Sequence, residues 1–559
     1  MSIFSKVPLK RPKRNVFNLS HDVKLTTEFG RITPFLCELV VPGDRWRIST
    51  NLMLRMAPMT APVMQMFKVY QHFFYVPSRL VWSKWNRFIF GAEKYNKQTG
   101  EPSDPDPIYP RFKFPQGDGH LSKERSLFDY LGFPANALFS NGSAPLASNN
   151  YFDMLPFRAY HLIWNEFYRD ENLQDEVNIG KDVSGYIDDS NFSDLSDLLN
   201  LHYISWRKDY FTSALPFAQR GPDVRLPIGG SLGLEYDANG ETQLYADGNG
   251  FVAGNTNLSA LRSGSVGNPA DLRAGYQSSS IQGSKVNVDN SSNLKAVFTP
   301  DDGIQSATIN EVRRAFAVQK IYELAARVGA RPIEQLLGFF GVKSDDARLQ
   351  RPEYLGGNVV PMYIGEVLQT SESNEDGTPL ATPAGVGSAS GSSKQFTHFF
   401  KEHGYIIGLV TVVPTAAYMQ GLPRKFTKFE RFDHFWPQFS NIGEQPILNK
   451  ELYMDALDVS SSNDKEFGYT PRYAEYKQIQ SSIHGDFRSS LDFWHDARKF
   501  ASRPALNSEF ITVKPSGRDV GINRIFAVTD TDFEDHLWLH IYNNIKAVRP
   551  MPKFGVPMI

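Results

Sequence analysis

With 559 residues, 41% hydrophobic and 13% aromatic, the chain can bury several domain-sized cores, and its composition excludes an intrinsically disordered protein. Lys and Arg total 59 against 61 Asp and Glu, so the net charge of −2 makes no case for nucleic acid, and any such contact must come from local patches. The single cysteine, Cys37, excludes a disulfide framework or a thiolate zinc site within one chain.

Residues 1–20 carry Lys6, Lys10, Arg11, Lys13 and Arg14, no acid, and prolines at 8 and 12. An extended basic arm with little structure of its own is expected there. It can release counterions from phosphates, or it is a solvated tail. No apolar segment follows it, so no secretory leader is expected. The longest apolar run, Tyr405 to Met419, is interrupted by Pro414 and is too short to cross a membrane; a buried strand and turn are expected, in a protein that is not a membrane protein.

Residues 21–80 read as strands: Leu25 to Val41, a turn at Pro42-Gly43-Asp44, then Trp46, Ile48 and Thr50 alternating with polar neighbours. Val69 to Val76 is a strong strand ended by Pro77, and the Met/Pro/Ala-rich Arg55 to Pro62 is a loop. Trp82, Trp85, Phe88 and Phe90 then interleave with Lys84 and Arg87. Lys84, Trp85 and Arg87 can stack bases and hold phosphates, or form an amphipathic turn packed on the body. Residues 97–119 form a surface loop, while Leu121 to Leu131 and Leu155 to Leu173 carry helical spacing.

From Gly229 to Asn293 the composition shifts to Gly, Ser, Asn, Ala and Asp. Leu234-Glu235-Tyr236 and Gln243-Leu244-Tyr245 are separated by an Asn-Gly signal, which predicts short tight hairpins in an exposed excursion. Asn310 caps a helix that Gly329 ends, and a second runs from Ile333 to Phe340. Gly377 to Ser393 reads as a low-complexity loop, and the acid-free tail from His536 to Ile559, with Lys546, Arg549 and Lys553, reads as another arm. Between them, Gly421 to Phe500 is dense in aromatics with polar neighbours: a comb of Phe426, Phe429, Phe432 and Phe435, then Arg472, Tyr473, Tyr476, Phe487, Arg488 and Trp494. Such residues pack a core or anchor a contact between copies.

No catalytic constellation is visible. Gly385 to Gly391 has the wrong spacing for a dinucleotide fingerprint and no strand leading into it. His484 with Asp486, and His495 with Asp496, are the nearest approach to acid–base or metal pairs, and chance proximity explains them better. No catalytic residue, metal or cofactor is assigned. The coarse pattern is an antiparallel β-sandwich with large insertions. A subunit that packs against other copies of itself, a spike and a carbohydrate-binding sandwich with aromatic platforms all fit it.

The chain resembles the major capsid proteins of gokushoviruses, the small single-stranded DNA phages of the microvirus group. The resemblance rests on Phe467 to Lys477 (FGYTPRYAEYK), His484 to Leu491 (HGDFRSSL), Gly443-Glu444-Gln445, Phe17 to His21, Pro42-Gly43-Asp44, Phe73 to Leu80, Leu155 to Tyr160 and Arg351 to Gly357. It lapses over 229–295 and 370–395. It implies a mainly β, eight-stranded antiparallel jelly-roll β-sandwich, with long inter-strand insertions carrying helices and an exposed projection. The implied division is a basic arm over 1–20, jelly-roll core over 21–228, the projection over 229–295 and the remaining core over 296–559. It further implies a T=1 icosahedral virion shell, built from copies of this chain in the host bacterial cytoplasm, around circular single-stranded DNA. The projection would meet a host-cell receptor, with Tyr236, Tyr245, Phe251 and Tyr276 as candidates. The near-neutral charge then implies that a small basic DNA-binding partner in the virion, or metal ions and polyamines, neutralises the genome.

Overall fold

The computed structural model describes residues 13–91, 106–113, 124–135, 151–188, 195–222, 224, 309–329, 331–370, 380–457, 461–514, 521–527 and 535–554, and short strands within 232–298. The chain divides into two compact units, Met1–Arg220 with Glu323–Ile559, and Gly221–Tyr322.

The first unit is mainly β and antiparallel. The strands of its two large sheets are β1 (Asn15–Asn18), β2 (His21–Thr27), β3 (Thr33–Val40), β4 (Arg45–Met56), β5 (Phe67–Pro77), β6 (Glu353–Pro361), β7 (Tyr363–Leu368), β8 (Pro383–Ser392), β9 (Phe396–Phe399), β10 (Gly404–Pro414) and β11 (Leu537–Arg549). A seven-stranded sheet runs β1-β11-β4-β8-β7, with β2 also on β11 and β9 also on β4. A four-stranded sheet runs β6-β5-β10-β3.

Period-two alternation sets the facing of the large sheet. In β4, Trp46, Ile48, Leu52 and Leu54 point inward and Arg45, Arg47, Met53 and Arg55 outward. Leu539, Ile541 and Ile545 of β11 do the same beside them. These side chains meet Phe67, Val69 and Phe73 of β5 and Ile406, Val410 and Val412 of β10 in one core, so the sheets form a β-sandwich. β10 is buried along its whole length because it has two apolar faces. Its other face, Tyr405, Ile407 and Leu409, packs with Phe74 and Val76 against α1 (Leu155–Ile163) in a second core. The long apolar run is thus a central strand between two layers.

Several expectations need correction. The tail is no arm: Leu537–Arg549 is an interior strand of the large sheet, paired with both β2 and β4. Within the expected basic arm, Asn15–Asn18 is a strand on β11. The Gly/Ser-rich 383–392 is β8, not a loop. The helix expected over Leu155 to Leu173 ends at Ile163, passes through one wide turn at Trp164–Tyr168, and stops at Arg169. Arg331 explains the stop: its guanidinium donates to the Asn165 and Arg169 carbonyls at 2.8 and 2.9 Å, acceptors a further turn would need. Within the expected helix Leu121 to Leu131, the described part is helical at Leu127–Tyr130, capped by Ser126.

In the second unit, Leu232–Tyr236 pairs with Leu294–Phe298 and Tyr245–Ala246 with Val286–Asn287. The ladders are nested rather than tight hairpins across the Asn-Gly signal. The helix Ile309–Val328 starts a residue before Asn310, which lies inside it rather than capping it. Gly329, at φ +105°, follows its end.

A buried histidine pair ties α1 to the loop beside it. His161 Nδ1 lies 2.8 Å from His202 Nε2, and His161 Nε2 donates to the Leu198 carbonyl at 2.9 Å. His202 stacks on Trp164 at 4.0 Å. Burial pushes His161 down to about 4, and burial with its histidine neighbour pushes His202 lower still. A depressed histidine pKa means the unfolded chain takes up protons first. Stability is therefore full above the unfolded value of about 6.5 and is lost as pH falls toward the folded values. We expect urea-unfolding stability to drop between pH 6.5 and 4.5 by up to about 1.4 kcal/mol per pH unit for each such histidine. His202→Gln should flatten that dependence; an unchanged profile would refute the assignment.

Candidate assembly surface

Residues 421–500 are organised by a small core of their own. Tyr210 and Phe211 pack there with Tyr418, Ile447, Leu452, Phe467, Phe510 and Ile511. The strands Glu444–Leu448 and Glu466–Pro471 pair above it. Glu451 is buried and accepts from Tyr210 Oη at 2.9 Å and the Leu448 amide at 3.0 Å, and Arg424 reaches it at 3.3 Å. Burial pushes the Glu451 carboxyl upward, against the pull of these donors.

A second network lies toward the surface. Gln445 is buried, accepts from the Tyr473 amide at 3.1 Å and donates to Glu475 at 2.8 Å. Lys428 Nζ is 2.7 Å from the other Glu475 oxygen, with side chains 6% and 10% exposed, and sits 3.9 Å over the Tyr476 ring. Burial alone would raise Glu475, but the Lys428 and Gln445 hydrogen bonds overcome it and hold the carboxyl low.

Above these networks the aromatic comb faces out. Phe426 is 60% exposed, Phe429 86%, Phe432 56% and Phe435 50%, and Leu457 and Ile479 are also exposed within residues 421–500. The segment is not slack. Asp433 accepts from the Phe429 and Glu430 amides at 3.1 and 2.9 Å, and Arg431 lies 4.8 Å over the Trp436 ring. Soluble monomers rarely keep a run of large apolar side chains uncovered.

The remaining candidates divide. Tyr473 is buried, Tyr476 is 54% exposed, and Arg472 is half-buried over the Phe439 and Tyr473 rings. Phe487 and Trp494 are half-buried, and Arg488 is exposed with Nε donating to the Ile483 carbonyl at 2.7 Å. Lys13, Arg14 and Lys84 are exposed, and Arg14 lies 5.5 Å over Phe399. Trp85 and Arg87 are half-buried in the short helix Trp85–Phe90. Lys6, Lys10, Arg11, Phe251 and Tyr276 lie outside the described residues, as do the side chains of Tyr236 and Tyr245.

The paired polar residues are structural. Both His495 nitrogens meet backbone, the Phe487 carbonyl at 2.7 Å and the Ala497 amide at 3.1 Å. Asp496 is buried 3.9 Å from Arg524, and burial drives its carboxyl well upward. His484 bonds Ser482 at 2.9 Å. Among the described residues no cluster of His, Cys, Asp and Glu has the makings of a metal site, and no helix is long and apolar enough to cross a membrane.

Comparison with known proteins places this surface in context. A family profile described as capsid protein (F protein) matches residues 5–559. The chain is 33% identical over 603 residues to capsid protein VP1 of Chlamydia phage 1, covering 99% of this chain and 97% of that one. It is 34% identical over 566 residues to capsid protein VP1 of Bdellovibrio phage phiMH2K, with coverage of 99% and 97%. Capsid protein VP1 of Spiroplasma virus 4 is 29% identical over 562 residues, with coverage of 97% and 95%.

The Lys428–Glu475 pair is open to test. Lys428→Ala leaves Glu475 without its cation and should cost about 3 kcal/mol in urea unfolding. Adding Glu475→Gln should recover part of the loss. A single-variant cost below about 0.5 kcal/mol, the range of an ordinary surface change, would mean the pair does not hold the surface.

Proposed function

The chain belongs to the family of phage capsid proteins described as the F protein, of gokushovirus type, and from that premise we propose that it is the major capsid protein of a T=1 icosahedral shell enclosing circular single-stranded DNA. The observation that carries the reading is the comb from Phe426 to Phe435, held out by its own hydrogen bonds. Covering such side chains against another copy gains roughly 25 cal/mol for each Å² of apolar area removed from water. Closed symmetry repeats every modest contact around the shell.

The strand order supports an eight-stranded jelly roll. One sheet carries β2, β11, β4 and β8 with β9, the other β3, β10, β5 and β6, and the chain passes between the sheets in that fold's sequence. The long connections between β5 and β6 and between β10 and β11 carry the insertions. By position and composition, 229–295 is the projection that meets the host-cell receptor. The role is structural rather than enzymatic, in the virion, with assembly in the host cytoplasm. A net charge of −2 cannot neutralise a packaged genome, so a small basic virion protein is the expected partner.

Replacing Phe429 and Phe432 together by Ser should leave the subunit's unfolding free energy within about 0.5 kcal/mol. It should also abolish particles in negative-stain microscopy. Normal shells from this variant would remove the comb from the contact. A wild-type chain that stays monomeric, or stops at a small oligomer, would refute the shell reading.

A further inference from the structure

The solvent-facing side of the seven-stranded sheet carries an unusual charge pattern. The outward positions of β4 are Arg45, Arg47, Ser49, Asn51, Met53 and Arg55. Their cross-strand partners on β11 are Val548, Lys546, Asn544, Tyr542, His540 and Trp538. Lys24 of β2 lies opposite His540 on the same face. Trp538 is 44% exposed and Tyr542 38%. On the other flank, Ser388, Ser390 and Ser392 of β8 stand opposite Arg55, Met53 and Asn51, short side chains that leave the cations open.

The acid on this face is Asp22, and His540 holds it at 2.8 Å. Among the described residues, Lys24, Arg45, Arg47, Arg55 and Lys546 make no ion pair with a carboxylate. Arg47 and Lys546 are direct cross-strand neighbours. Like charges placed so weaken a sheet. A chain of net charge −2 has acids enough to offset them, yet among the described strand positions of this face it places Asp22 alone.

We propose that this face binds a single-stranded polynucleotide, its phosphates along the row of cations and its bases on Trp538 and Tyr542. The row from Arg45 to Arg55 spans roughly 33 Å of extended strand, room for several nucleotides. Exposed flat rings select unpaired bases, because a duplex keeps its bases stacked inside. An acidic protein would match the charge but would not use the rings. The inference deepens the shell reading and rests on it for the source of the strand. It adds the sheet face to Lys84, Trp85 and Arg87 as a place for the expected DNA contact.

The test is fluorescence anisotropy of the purified full-length chain with a labelled oligothymidylate across a salt series. The wild type should bind, with log affinity falling linearly against log salt. The triple variant Arg47→Ser, Arg55→Ser, Lys546→Ser should lower that slope by about 2, at roughly 0.7 for each phosphate of a single strand that is no longer neutralised. Trp538→Ala with Tyr542→Ala should weaken binding about tenfold or more at nearly unchanged slope. Unchanged urea midpoints establish that the variants fold. Wild-type affinity or slope in the triple variant, equal binding of a duplex, or displacement by polyglutamate as effective as by competing oligothymidylate would each overturn the proposal. Negative-stain images of the same preparations separate the two readings. Shells with no loss of binding in the variants sink the sheet-face site alone, whereas absence of shells from the wild type sinks the shell reading alone.

Discussion

The structure depends on one long-range pairing, the insertion of β11 between β2 and β4. Leu537 to Val548 pairs residue by residue with Met56 to Arg45, and the same strand carries His21–Thr27 and Asn15–Asn18 on its other side. Both N-terminal strands therefore have their sheet partner only once the far end of the chain arrives. Loop-closure entropy grows slowly with length, so this costs little stability, but non-local pairing slows folding. Register is pinned at both ends by buried charge. At one, Asp44 accepts from Trp46 Nε1 at 3.0 Å and pairs with Arg549 at 3.3 Å, whose guanidinium lies 4.9 Å over the Trp46 ring. At the other, Asp535 meets Arg31 at 2.9 Å and buried Glu28 holds His536. A slip of one residue would turn every inward side chain of β11 outward and strand these charges.

The two-faced β10 distributes the rest. With the sandwich on one side and α1 on the other, the four-stranded sheet is covered on both faces. The seven-stranded sheet is covered on one. Among the described residues its outer face and the aromatic comb are both exposed, as are apolar side chains elsewhere such as Phe340 and Tyr363. The cleft beside Arg31, Trp164 and His202 sets Arg31, Arg125 and Lys514 against Glu124, Asp175 and Glu509, a lining of mixed sign.

Strands with a plain pattern were legible in the sequence. β4 alternates, β5 and β10 are apolar runs, and all fall where the residues put them. β11 was misread because its alternation is disguised. Buried Asn543 interrupts the inward row, and Trp538 and Tyr542 occupy the outward one. β8 was misread because its composition is that of a linker. Packing demands those small residues: a Cβ at Gly385 would sit 2.5 Å from the Ala61 carbonyl, and one at Gly391 2.6 Å from Val360. The aromatic stretch was legible as aromatic but not as surface. Tyr473 and Tyr476 differ by three positions and one is buried, the other half-exposed, a division set by the Gln445 and Glu475 network. The sheet-face cations escaped because whole-chain charge averages them away, and only register brings Arg47 beside Lys546.

For a capsid protein, the stiffness of the comb matters as much as its hydrophobicity. A flexible loop bearing the same phenylalanines would have to be ordered at each association, at a cost of roughly 0.5 to 1.5 kcal/mol for each side chain immobilised. Here the ordering precedes contact. Asp433 ties down the turn, Lys428 and Glu475 clamp the layer beneath, and Glu451 fixes that layer to the small core. The folded subunit bears the exposure of the comb, and three buried cores offset that cost. Rigidity also restricts which partner surfaces fit. The polar residues of 421–500, unpromising as catalysts, act as the framework that holds the apolar ones in one arrangement.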